Sequence, residues 1–147
     1  MAWGADVIAV DLPGDRPNEG AAFYAEQVSA QVPPGEPPVV VAHSAAGLIL
    51  PAVGTRIPVS RLVYLAAVIP QPGASLLDQF HESKEMFQPE WIGNDPTKDH
   101  ALARDFLFHD CDDRTHAWAL TTLRLWHAPG VLRERFDQFP DVPVDYI

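Results

Sequence analysis

Val39-Val40-Val41-Ala42-His43-Ser44-Ala45-Ala46-Gly47 decides the fold of this chain. Valines in succession without alternating polarity read as a strand buried on both faces, the pattern of a parallel sheet. Leu48 to Val53, just downstream, has the composition of a buried helix. Between the two, Ser44 has a small residue two positions away on either side, Ala42 and Ala46. A strand that reverses sharply into a helix strains its turn residue, and only small neighbours let the two backbones come close. Such a turn exposes the serine hydroxyl at the carboxyl end of the sheet, where open α/β sheets bind ligands. The following helix aims its N-terminus at the same spot, which makes the Ala45 N–H a candidate oxyanion donor. The plain alternative is a serine that merely permits tight packing of helix on strand.

Working outward, Asp6-Val7-Ile8-Ala9-Val10 reads as a buried strand closed by Asp11-Leu12-Pro13-Gly14. Gly20 to Gln31 is free of proline, carries Phe23, Gln27 and Ala30 on one side, and stops at Pro33-Pro34-Gly35, so a short helix is expected. Leu62 to Ala67 is a third strand, ending at Ile69-Pro70-Gln71-Pro72-Gly73. Strand, helix, strand, helix, strand predicts an α/β chain with a parallel sheet covered on both faces. From Ala74 to Phe139 strand signals vanish, and Asp112 or Asp113 is the expected N-cap of a helix through Trp126 with Ala119, Leu123 and Trp126 on one face. Val142 to Ile147 reads as one more strand. The expected organisation is a core segment over 1–73, a helical lid over 74–139, and the start of a further core strand over 140–147.

The 147 residues include 20 acidic and 10 basic side chains, a net charge of −10, and 47% are hydrophobic. That balance fits one packed domain and disfavours wholesale disorder. So acidic a surface repels phosphate backbones and anionic lipid, which argues against nucleic acid and membrane as partners. A lone cysteine, Cys111, cannot form an internal disulfide, and the N-terminus lacks a basic, long apolar leader, so a cytoplasmic location is expected. His109-Asp110-Cys111-Asp112-Asp113 with His116 contains metal-ligand types, but the spacing matches no ligand pattern well and no metal is expected. Phe80, Phe87, Trp91, Phe106, Phe108, Trp118 and Trp126 read either as an apolar substrate pocket or as ordinary core.

Taken in order, Val7 to Gly14, Ala42 to Gly47 and Leu62 to Gly73 resemble the α/β-hydrolase superfamily, in its esterase and hydroxynitrile-lyase-like branch. The turn departs from the usual Gly-x-Ser-x-Gly by carrying Ala42 and Ala46 at the glycine positions. The resemblance implies a partial α/β-hydrolase fold, a mostly parallel sheet with flanking helices and a helical lid insertion. By it Ser44 matches the catalytic nucleophile and Ala45 the oxyanion-hole donor, no cofactor is needed, and the substrate is a small apolar ester. The second oxyanion loop, the triad acid and the triad histidine find no match within the 147 residues, so the chain is expected to be truncated at both ends and inactive in isolation. His43 corresponds to a packing residue, while His81, His100, His109, His116 and His127 fall in the insertion. The resemblance also implies a missing strand between Val7–Val10 and Val39–Ala42, so these either pair directly or leave unpaired groups, with self-association through exposed sheet edges. Three readings of function follow: a serine hydrolase, a hydroxynitrile-lyase-like enzyme, and a non-catalytic interaction or pseudoenzyme fragment.

Overall fold

A computed structural model describes residue 4, residues 6–124 and residues 126–147. Residues 1–3 and 5, on which the reading of the N-terminus partly rests, lie outside the described residues, as does residue 125. Three strands, β1 (Val39–His43), β2 (Arg61–Leu65) and β3 (Val144–Tyr146), form a parallel sheet in the order β1-β2-β3. Parallel neighbours need crossovers, and the first is supplied by a 3-10 turn (Ser44–Ile49) running directly into α2 (Leu50–Arg56).

Helix α1 (Ala21–Gln31) precedes β1 and covers the expected stretch within one residue. Gly20 has no side chain to cap it, and the Glu134 carboxylate, distant in sequence, accepts the Ala21 N–H at 2.6 Å instead. Beyond β2 come α3 (Leu76–Glu82), α4 (His100–Leu107), α5 (Asp113–Thr122) and α6 (Pro129–Arg133). Asp112 caps α5 by accepting the Thr115 N–H at 2.7 Å, as the sequence suggests. That helix ends at Thr122, short of Trp126, because Leu123 turns to extended backbone. Ala119 is its buried residue. The chain divides into two compact units, Met1–Glu82 with Ala128–Ile147, and Ser83–His127.

Burial along the strands corrects the expectation of a sheet covered on both faces. Leu62, Val63 and Tyr64 of β2 are buried in succession, so β2 is covered on both sides. In β1, however, Val39 and Val41 are exposed while Ala42 is buried, the alternation of a strand with one open face. Every residue of β3 is exposed. The core that fixes β1 against α2 and β2 comprises Ala42, Leu50, Val59, Leu62, Tyr64 and Ala67.

Asp6–Val10 is the clearest difference from the sequence reading. It forms no strand: it runs without turn or bend, Val7 is 85% exposed, and among the described residues its backbone has no ladder partner. A β-branched run becomes a strand only when a neighbour supplies hydrogen bonds. Direct pairing with β1 does not occur; both segments instead line one cavity of about 770 Å³. Among the described residues, no helix is long and apolar enough to cross a membrane.

Candidate functional site

Ser44 follows the last residue of β1 and opens the helical run to Arg56. Its φ is +55°, in the left-handed region that costs a residue bearing a Cβ roughly 1–2 kcal/mol. His43 before it is still extended, at φ −108° and ψ 143°, so the whole change of direction is taken by one residue. Ser44 is exposed and Ala45 half-buried. The small neighbours act as expected: Ala42 lies in the core, and Ala46 packs against it.

Two features that sequence reasoning missed hold this turn. The Val68 N–H donates to the Ser44 carbonyl at 3.0 Å, tying the turn to the segment leaving β2. Gly47 lies so close to that segment that a Cβ there would stand 2.2 Å from the Val68 carbonyl oxygen. The exit of β2 is itself strained, with Ala66 at φ +41°. Because His43 and Leu65 are register partners, Ser44 and Ala66 bend at the same level of adjacent strands. The signal available in the sequence was the succession of small residues at both strand exits, Ala45-Ala46-Gly47 and Ala66-Ala67.

Among the described residues, no side chain hydrogen-bonds the Ser44 hydroxyl. His43, a packing residue by the resemblance, is exposed and lines the 770 Å³ cavity. His81 is exposed on α3, and His100, His109, His116 and His127 belong to the second unit.

The acidic stretch around Cys111 is occupied with structural tasks. Asp112 caps α5, Asp113 pairs with Arg104 at 2.7 Å, and among the described residues no three His, Cys, Asp or Glu side chains gather as a metal cluster. Desolvation, then the charge of Asp110, pushes the Cys111 thiol up, which keeps it protonated and a poor metal ligand.

The sequence profile of the alpha/beta hydrolase family matches residues 2–147. The chain belongs to that family. Hydrolase-type chemistry is therefore its coarse assignment. The crystal structure of polyneuridine aldehyde esterase is similar in fold, with a TM-score of 0.69 and 20% identity over 97% of this chain and 68% of that one. At that identity the likeness speaks for the fold alone. No curated protein sequence gives a significant match. The described residues display three parallel strands and a left-handed turn at Ser44.

Proposed function

We propose that this α/β hydrolase is a serine esterase in which Ser44 attacks the carbonyl carbon of a small apolar ester. The observation that supports this reading is the left-handed backbone of an exposed serine at the carboxyl end of a parallel strand. Such strain is retained where the surrounding structure overrides it, and functional turns are where it concentrates. In the proposed reaction the serine oxygen forms a bond to the acyl carbon, its proton passes to a base, and the alkoxide leaves as an alcohol. The acyl-Ser44 ester is then hydrolysed by water. The Ala45 N–H stabilises the oxyanion, and the helical region over 74–139 serves as the lid. No cofactor takes part.

A serine hydroxyl attacks slowly without a base. That the Ser44 hydroxyl has no side-chain partner among the described residues favours, as second reading, a non-catalytic family member. One experiment separates the two. The protein is treated with a fluorophosphonate, with and without imidazole as an external base, and the adduct is mapped by peptide mass spectrometry. The expected result is a single adduct on Ser44, formed faster with imidazole and absent in Ser44→Ala. Folded wild-type protein that takes no adduct under either condition overturns the nucleophile assignment. The cytoplasmic location is proposed on the lone cysteine alone.

A further inference from the structure

Gln79 is a polar side chain in a buried place. It lies on α3 and is 3% exposed. A buried amide without partners is costly, so where its hydrogen bonds go indicates what it does. Gln79 Nε2 donates to the Ile69 carbonyl at 3.1 Å and Oε1 accepts the Gln71 N–H at 3.2 Å, the amide orientation that satisfies both neighbours. Both partners belong to the loop that leaves β2. Pro70 and Pro72 bring no N–H to that loop, which leaves it few backbone donors with which to hold itself. Its ends are anchored elsewhere: the Ala66 N–H donates to the Ile147 carbonyl at 2.7 Å, and the Gly73 N–H to the Phe136 carbonyl at 2.8 Å. Gln79 grips the middle of the loop through both of its polar atoms.

The same loop holds the turn at Ser44. One residue before Ile69, the Val68 N–H donates to the Ser44 carbonyl at 3.0 Å, and the Val68 carbonyl oxygen closes on Gly47. A left-handed serine persists only where its surroundings override the strain, and this loop is part of those surroundings. The helix that supplies Gln79 is fixed in turn by the Ser75–Asp78 hydrogen bonds and by Arg135, 3.0 Å from the Asp78 carboxylate. We infer that Gln79 is a positioning residue for Ser44: its buried amide fixes the loop leaving β2, and through the Val68 N–H that loop holds the nucleophile's backbone in its left-handed conformation. The consequence for reactivity rests on the esterase reading; the mechanical link does not. The competing role for Gln79 is to fill the core and satisfy its own amide, with no effect at Ser44.

Gln79→Met keeps the length and bulk of the side chain and removes both hydrogen bonds. In the folded variant, checked by circular dichroism, exchange of the Val68 N–H followed by nuclear magnetic resonance should quicken about tenfold or more relative to that of the Leu62 N–H, which the Pro143 carbonyl holds at 3.0 Å. The Ser44 ¹³Cα and ¹³Cβ resonances should leave their wild-type positions. With fluorophosphonate and imidazole, the maximal labelling rate should fall about tenfold while the half-saturating probe concentration stays within about twofold. The wild type supplies a check that needs no variant: if the loop opens as one piece, the Val68 and Gln71 amides should exchange within about threefold of each other after correction for intrinsic rates. Equal loss of protection at Val68 and Leu62, unmoved Ser44 resonances, a change in half-saturation with no change in maximal rate, or a Gln71 amide that exchanges freely while Val68 stays protected would each overturn the inference. Should the wild type take no adduct, the esterase reading fails, and exchange and resonances alone decide the positioning role, so the two failures are distinguishable.

Discussion

Ser44 combines two properties that pull against each other. Its left-handed φ of +55° disfavours any residue with a Cβ, and an ordinary structural turn would place glycine there. Ser44→Gly relieves that strain, so unfolding in urea should show a gain of about 1 kcal/mol in stability, although the hydroxyl is lost. Fluorophosphonate labelling should vanish in the same variant. A substitution that stabilises while it abolishes reactivity would mark Ser44 as retained for chemistry; a loss of stability would show that its hydroxyl or Cβ supports the turn. The opposite demand holds at Gly47, where the Val68 carbonyl oxygen leaves no room for a Cβ.

At the scale of the element, helix ends show how local rules and distant partners divide the work. α3 begins with a reciprocal pair: the Asp78 N–H donates to Ser75 Oγ at 3.1 Å, and the Ser75 N–H donates to Asp78 Oδ2 at 2.9 Å. Hydrogen bonds from the Ser75 backbone and hydroxyl hold the Asp78 carboxyl below the usual carboxylate range, with Arg135, whose guanidinium lies 3.0 Å away, adding to the effect. Ser75→Ala removes the cap and should cost about 1 kcal/mol at neutral pH. A carboxyl whose folded pKa is lowered stabilises the fold above its unfolded pKa and loses that contribution as pH falls through the folded value. The difference between wild type and Ser75→Ala should therefore narrow in acid, as followed by urea titrations across that range. α1 has no such local cap and depends on Glu134, a partner that sequence spacing could not indicate.

For the whole molecule, the burial of one core group ties stability to alkaline pH. Tyr64, 3% exposed in the middle of the sheet, has its phenol pushed up to about 12 by burial. In the unfolded chain it ionises near its ordinary value of 10.0. Between these two values the unfolded state has released the proton and the folded state has not, so stability falls as pH rises through that window. The fall attributable to Tyr64 is on the order of 2 kcal/mol. Tyr64→Phe should flatten the stability profile over that alkaline range, measured by denaturation at successive pH values; an unchanged slope would assign the fall to other groups.

The parallel strands at Val39–His43 and Arg61–Leu65, the helix at Ala21–Gln31, the turn at Ser44 and the cap at Asp112 were legible in the sequence. Each rests on local causes: unbroken β-branched runs, proline stops, small residues beside a serine, a carboxylate before a helix. Asp6–Val10 has the same apolar, β-branched character, yet it is no strand, because strand formation needs a partner backbone that local residues do not supply. The Val68 bond to Ser44, the close approach at Gly47 and the Glu134 cap were likewise decided by tertiary structure. They join residues far apart in the chain, and contacts of that kind exist only once the sheet has brought its crossovers together.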